Sequence, residues 1–481
     1  MRSPLVWTCA GMDPSGNAGV LVDMQVMHSL GVRAKAVTTV VTAQNSYSCR
    51  HLFALSSQVV SQQVCALQEE EIPSVIKIGV LGNAEIIQTL SKVLDQLSVP
   101  MIIDPVFYST SGKELLSKDG IKALQNLLIP RASLITPNHL EAEILTGQSL
   151  SSAKDYPLAA KKILAMGARA VLIKGGHGSD SRCFDYYACC HKSFWICKPR
   201  IDREVRGTGC CLSSAIAAAF AQNGVSVEAT IKGIAYTQRA IRKASSQLHI
   251  DSWPVSAQEM PQIFDRWEDC CREQRPSAKI ESLMGFYPIV PNSSWVKFFV
   301  DLGVQTIQLR IKDQALNVVE EEIKESVNYA ARASCHLFIN DYWEFALKYR
   351  AYGIHLGQSD LKSAGWEKIK SSKIHLGIST HSYEELARAL GYLPSYIALG
   401  PIFPTTSKIM PFSPQGIGRI GIWNALTEVP IVAIGGMTAE NALDAFEAGA
   451  EGVACIRDVL DHPNPTHRTK AWLNLWRESC V

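Results

Sequence analysis

Several short stretches of this sequence combine residue types that handle phosphate. "GTGC" at 207–210 opens the small-residue run "CLSSAIAAAF". Gly207, Thr208 and Gly209 would leave backbone amides uncovered at the positive end of a helix, a cradle for the charge on a transferred phosphoryl group. Cys210 then stands where the helix begins, a position expected to lower a thiol's pKa and make a fraction of it thiolate near neutrality. "GMDPSGNAG" at 11–19 is a second glycine-rich turn before a helix, and "LIKGGHG" at 172–178 is a third, after a strand. Any one of these is explained equally well as a packing turn. "TPNHLEAE" sets Asn138 and Glu141 three apart, and Asp104 in "IIDPV" lies past a strand end, where a carboxylate could support a metal ion.

The second half carries a different constellation. "QLRIKD" puts Gln308, Arg310 and Lys312 on alternate positions leaving a strand, so the three side chains point one way. "FINDYWEFAL" supplies Asn340 and Asp341, and "HLGQSDL" supplies Asp360. Two carboxylates at neighbouring strand ends can hold one magnesium while a diphosphate completes the shell, and a cation beside a diphosphate makes it a better leaving group. Taken singly, the same aspartates would serve as helix caps.

These residues need elements to position them. Up to about residue 250, "LVWTCA", "AKAVTTVV", "SVIKIGV", "PMIIDPV", "ASLITPN" and "ARAVLIKGG" read as buried strands with helical patterns between them. Such alternation implies an α/β fold: a layered, mostly parallel sheet covered by helices, with ligands beyond the strands' carboxyl ends. Residues 253–282 are charged and contain three prolines, and read as a linker between domains at 1–252 and 283–481. Eight further strands follow: "GFYPIV", "VQTIQLR", "CHLFIN", "YGIHLG", "KIHLGIS", "SYIALGP", "VPIVAIGG" and "GVACIR". Eight such strands separated by helix-sized segments predict a (β/α)8 TIM barrel, whose reactive face lies where the strands end.

The totals bound the partners. Forty-seven basic against forty-five acidic residues leave a net charge of +2, too little for a field that would draw the whole molecule to nucleic acid or anionic lipid. Small-molecule substrates are therefore expected, with no nucleic-acid or membrane partner. No stretch approaches the ~18 apolar residues of a membrane span, so a cytoplasmic location is the default, and a homo-oligomer is the expected assembly. The fourteen cysteines include no CxxC pair and read as reduced thiols, most of them small buried hydrophobes.

In combination the first-half motifs resemble the ribokinase-like hydroxymethylpyrimidine (phosphate) kinases of thiamine biosynthesis, over roughly residues 3–250. The resemblance implies ATP as phosphoryl donor. It also implies that Asp23 and Gln44 hold the pyrimidine, and a paired acceptor and donor suit an aminopyrimidine edge. Asn138 and Glu141 would organise magnesium near the ATP phosphates, Lys174, Gly175 and Gly176 would form the nucleotide-side loop, and Cys210 would act as base.

Across nearly all of 283–460 the chain resembles thiamine-phosphate synthase through "QLRIKD…NDYWEFAL…HLGQSDL…LGISTHS…GPIFPTTSK…AIGGM". That family joins hydroxymethylpyrimidine diphosphate to a thiazole phosphate, with magnesium. Here Gln308, Arg310, Lys312, Asn340 and Lys408 would form the pyrimidine-diphosphate shell, Ser379 a diphosphate contact, and Asp341 and Asp360 the metal ligands. Thr405, Ser407, Gly435, Gly436 and Ile456, with Arg457 beside it, would face the thiazole phosphate.

The departures are Asn17 for a second glycine, Val80 for a pocket methionine, Arg206 for histidine before "GTGC", and Arg457 for serine after the last strand. Two rivals remain at this stage. One is a pyridoxal-type vitamer kinase fused to a thiazole tautomerase-like barrel, disfavoured by the intact Gln308, Arg310 and Lys312. The other is a non-catalytic ligand sensor.

Overall fold

The computed structural model describes residues 2–45, 48–109, 111–175, 181–272, 276–280, 284–405 and 412–479. The chain forms two compact units, Met1–Arg272 and Glu273–Val481.

In the first unit the strands are β1 (Leu5–Met12), β2 (Arg33–Gln44), β3 (Cys49–Ala54), β4 (Val75–Ile78), β5 (Met101–Ile103), β6 (Ala132–Ile135), β7 (Ala170–Ile173), β8 (Arg182–Cys189), β9 (Ser193–Pro199) and β10 (Gln262–Phe264). They form one sheet in the order β10-β9-β8-β7-β6-β5-β4-β1-β2-β3. The six strands from β7 to β2 are mutually parallel, and the outer ones are antiparallel. From β1 the chain steps to β2 and β3 on one side and then to β4 on the other, so the order reverses beside β1, where an open α/β sheet forms its crevice.

Strand alternation divides the packing. Leu5, Trp7 and Cys9 of β1, with Ile76 and Ile78 of β4, enter a core that takes Val60 and Val64 from helix Ser57–Glu70 and Ile86, Ile87 and Leu90 from helix Ala84–Leu94. Each such fully buried side chain contributes about 1.5–3 kcal/mol. Thr8 and Lys77 point the other way, toward helices Gly19–Ser29 and Thr208–Asn223.

The stretch expected as linker over 253–282 carries structure at both ends. β10 adds antiparallel to β9 with Ile263 and Phe264 buried, and Trp267 packs on Trp195 at 4.7 Å and Phe184 at 4.8 Å. Prolines and charges hid these apolar residues in the sequence. Residues 276–280 instead belong to the second unit: Ser277 N–H donates to Leu393 O, Ser395 Oγ donates to Ala278 O, and Ile280 packs against the barrel's inner cluster.

The second unit is a closed barrel of eight strands: β11 (Gly285–Val290), β12 (Thr306–Leu309), β13 (His336–Asn340), β14 (Gly353–Leu356), β15 (His375–Thr380), β16 (Tyr396–Leu399), β17 (Ile431–Ile434) and β18 (Gly452–Cys455). All neighbours are parallel, β18 closes on β11, and a helix follows every strand, as in the expected (β/α)8 architecture. Tyr287, Phe338, Tyr396, Val432 and Ala454 fill the interior, so the barrel is a packed core with a mouth.

Among the described residues no helix is long and apolar enough to cross a membrane, and thirteen cysteines are free thiols.

Candidate functional site

In the first unit two helix starts meet beyond the ends of β1 and β4. Gly207 has φ +77°, and a Cβ there would lie 2.1 Å from Asn17 O, so the "GTGC" turn rests on the "GNAG" turn and only glycine fits. Helices Gly19–Ser29 and Thr208–Asn223 both begin without a side-chain cap, which leaves first-turn amides for an anion. The Gly19 amide donates to the Cys210 sulfur.

Asp104 and Lys174 stand against the same turn. Lys174 Nζ donates to Asp104 Oδ1 at 3.0 Å, and a Cβ on Gly209 would lie 3.4 Å from Asp104 Oδ2 and 3.6 Å from Lys174 Nζ. Burial pulls Lys174 down, but Asp104 and Glu141 more than offset it, and it stays protonated. Asn138 and Glu141 form a capping box at helix His139–Thr146, with Glu141 N–H on Asn138 Oδ1 at 2.8 Å and Asn138 N–H on Glu141 Oε2 at 2.7 Å. Burial, and secondarily Asp104, raise Glu141 to about 7 against the pull of Lys174. Two buried carboxylates sharing one ammonium would gain from a divalent cation, and magnesium asks for only one or two carboxylates beside substrate phosphates.

Asp23 does not reach the pocket. It is fully buried, and its oxygens accept from Lys77 at 2.9 and 2.8 Å, Thr8 at 2.5 Å and Ser214 at 2.7 Å. Those four bonds fill a carboxylate's acceptor sites, so none is left for an aminopyrimidine. Asp23 is thus a support beneath the site instead of the pyrimidine contact expected from sequence. Gln44 is half-buried and donates to Asp13 Oδ2 at 2.8 Å. Arg206, which stands where the resembled family has histidine, donates to Asn45 O and ties that loop to the "GTGC" turn.

Cys210 also departs from expectation. The helix start favours thiolate, but burial pushes the thiol up to about 11; Lys77 opposes this, and Asp23 and Asp104 add to it. Desolvation outweighs the dipole, and the resting group is a neutral thiol. Cys211 is buried in a core of Val22, Val26 and Tyr236, and Cys210 packs half-buried against the edge of the same core.

At the barrel mouth Lys312 Nζ donates to Asp341 Oδ2 at 2.7 Å, and Asp341 adopts φ +65°, a left-handed conformation aspartate tolerates. Burial and then the charge of Asp341 raise Asp360. No group of three or more His, Cys, Asp or Glu converges among the described residues, so a magnesium ion here would draw its remaining oxygens from water or phosphate. Asn340 is buried at the end of β13 and Arg310 follows β12, half-buried. Gly435 (φ +94°) and Gly436 (φ +68°) turn against the loop after β16, where Cβ atoms would lie 2.7 Å from Pro401 Cα and 2.6 Å from Pro404 O, and Thr405 follows directly. Ile456 caps the short helix Arg457–Leu460, and Arg457 reaches Asp461 at 3.7 Å in the open. Gly176, Ser407 and Lys408 lie outside the described residues.

Comparison with known proteins decides the family. Residues 13–256 match phosphomethylpyrimidine kinase and residues 288–459 match thiamine monophosphate synthase. The thiamine biosynthetic bifunctional enzyme TH1, chloroplastic, of Arabidopsis thaliana is 30% identical over 96% of this chain and 90% of its own. The chain belongs to the bifunctional thiamine biosynthetic enzymes. The thiamine-phosphate synthase of Rhizobium etli is 44% identical over 39% of this chain and 93% of its own. A pyridoxal kinase from Staphylococcus aureus, solved with pyridoxal, superposes with TM-score 0.50 at 25% identity, covering 55% of this chain and all of that one.

This bifunctional enzyme therefore contains a kinase unit and a synthase unit, and sequence reasoning missed residues in both. In the kinase unit the omission is Lys77, fully buried on Asp23. In the synthase unit it is an internal relay. His355 bonds Tyr396 OH at 2.7 Å through Nδ1 and Ser379 Oγ at 2.8 Å through Nε2; Tyr396 bonds Tyr287 OH at 2.9 Å, and Gln308 donates to Tyr287 OH at 3.2 Å. Burial lowers His355 to about 4, so it is neutral at pH 7. Period-2 alternation was the available signal: Tyr287, Gln308, His355 and Tyr396 all fall on inward positions.

Proposed function

We propose that the kinase site phosphorylates hydroxymethylpyrimidine twice and that the barrel mouth consumes the diphosphate so formed. In the first transfer the hydroxymethyl oxygen attacks the γ-phosphorus of ATP, ADP leaves, and the hydroxyl proton passes to the thiolate fraction of Cys210 or to water. The amides of Gly207, Thr208 and Gly209 accept the charge that develops on the phosphoryl oxygens, and Lys174 screens it. In the second transfer the acceptor phosphate is already ionised, so the amides carry the step without a base. Gln44 is the pyrimidine contact.

At the barrel mouth the bond between the pyrimidine methylene and the diphosphate breaks, and the thiazole nitrogen forms the new C–N bond. Arg310, Lys312 and Ser379 hold the departing diphosphate, and Thr405 with the Gly435–Gly436 turn holds the thiazole phosphate. Magnesium, when bound, neutralises phosphate charge; Asp104, Asn138 and Glu141 would hold it in the kinase unit, and Asp341 and Asp360 in the barrel. Ser407 and Lys408 are assigned to the second site on the family resemblance alone.

The observation that carries this reading is the meeting of the "GTGC" turn, Asp104 and Lys174 around one point in the first unit. With hydroxymethylpyrimidine, thiazole phosphate and Mg-ATP, the full chain should release two ADP and one diphosphate per thiamine phosphate. Absence of product, or product without ADP, would contradict it. The pyridoxal kinase neighbour favours pyridoxal as a second acceptor, which the same ADP assay tests.

A further inference from the structure

Lys77, the third residue of β4, has no part in the transfer as described so far. Its neighbours Ile76 and Ile78 face the large core, and it faces the opposite side, where it is 0% exposed. Its ammonium bonds both oxygens of Asp23, itself 0% exposed, at 2.9 and 2.8 Å. Ser214, which completes the shell on Asp23 Oδ1, lies four residues beyond Cys210 in helix Thr208–Asn223, and therefore on the same helix face. A Cβ on Gly79 would lie 3.0 Å from Lys77 Nζ and 2.9 Å from Ala10 Cβ, so the ammonium sits directly under the backbone that floors the crevice.

A buried pair of this kind is not a cheap source of stability, because desolvating two ions costs several kcal/mol and a well-packed apolar pair often serves as well. Its charge acts elsewhere. The groups that face Cys210 are Lys77 from β4, Asp23 from helix Gly19–Ser29, Asp104 after β5, Lys174 after β7, and the Gly19 amide. Cys211 lies beside it in the chain; of the two cations Lys77 is the fully buried one, and Lys174 stands partly exposed on Asp104. Burial pulls Lys77 down, but Asp23, Cys210 and Asp104 more than offset it, so it stays charged at any working pH.

We infer that Lys77 is a positioning residue for the first phosphoryl transfer: its ammonium, clamped by Asp23 under the start of the Thr208 helix, sets how much negative charge Cys210 and the acceptor oxygen can carry. This rests on the reading of Cys210 as the acceptor-side group.

Lys77 and Asp23 act on one sulfur with opposite signs, which gives a test that a structural role would not reproduce. In the full chain, the rate of Cys210 alkylation by iodoacetamide is followed from pH 7 to 10 by mass spectrometry of the Cys210 peptide, and displacement of this rate along the pH axis gives the shift of the thiol's midpoint. Lys77→Met should move the midpoint up and slow the first transfer roughly tenfold or more at pH 8, with KM for ATP unchanged. Asp23→Asn should move the midpoint below that of the unsubstituted chain. A pair that merely supports the fold would, when broken, expose the thiol in both variants and move both midpoints the same way; that result, or no movement in either, overturns the inference.

Should Lys77→Met fail to fold, the double variant Lys77→Met/Asp23→Leu replaces the pair by apolar groups. It should fold and lose the first transfer, and first-transfer rates equal to those of the unsubstituted chain would overturn the inference. The midpoints are readable without turnover, so failure of the kinase assignment, seen as no ADP from hydroxymethylpyrimidine, is distinguishable from failure of this one.

Discussion

The two sites handle the same kind of ligand with different materials. The kinase crevice is built from backbone: two uncapped helix starts pressed together at Gly207 and Asn17, with its charged side chains paired and mostly buried beneath the surface. The barrel mouth is built from side chains: Lys312 and Asp341 meet while partly exposed, over a buried relay that carries no charge at pH 7. Truncating a side chain leaves the amides in place, so the first site is vulnerable through glycine geometry and buried charge. The second is vulnerable through single exposed groups.

The largest expected effect breaks the second half of this comparison. Asp341→Ala should lower thiamine phosphate formation from supplied pyrimidine diphosphate by a factor on the order of a thousand, while ADP release from hydroxymethylpyrimidine is unchanged. Gly207→Ala is its counterpart. A methyl group 2.1 Å from Asn17 O at φ +77° must displace the turn, and removing anion-hole donors costs roughly a hundredfold in rate. Both phosphoryl transfers should fall in the ADP assay, with synthase turnover intact; a mild loss would show that the amides are not the cradle.

A smaller effect is expected at Cys210. With its thiol at about 11, a thiolate base would make the first transfer climb about tenfold per pH unit from 7 toward that value, and Cys210→Ala would flatten the climb while leaving the second transfer alone. Equal loss in both transfers would remove Cys210 from proton transfer.

The smallest change in turnover accompanies a change in stability. His355 is lowered from 6.5 to about 4, so the unfolded barrel binds its proton first, and stability falls as the pH drops from 6.5 through 4. The loss should reach a few kcal/mol. His355→Gln should flatten that dependence in urea titrations, and an unchanged slope would place the acid sensitivity elsewhere.

Much of this was legible in the sequence. Seven of the eight barrel strands fall within the runs read for them, and β15 passes its run by Thr380 alone, because parallel strands buried on both faces are near-continuous apolar runs. The outer antiparallel strands β3, β8, β9 and β10 were not, since strands such as "CRHLFA" and "RCFDYYAC" mix exposed and buried residues. Asn138, Glu141, Asp104, Lys174 and the glycines were placed by their turns, and the turns do converge. The partners of Asp23 and the proton of Cys210 differ from expectation for one reason. A sequence displays the helix start but not the desolvation around it, and in this crevice burial decides both the carboxylate's partners and the thiol's proton.

The central claim is that each unit holds a complete site and that only the pyrimidine diphosphate passes between them. Mixing the Gly207→Ala chain with the Asp341→Ala chain tests it directly. Supplied with hydroxymethylpyrimidine, thiazole phosphate and Mg-ATP, the mixture should form thiamine phosphate although neither variant does so alone. A mixture no more active than its components would contradict it.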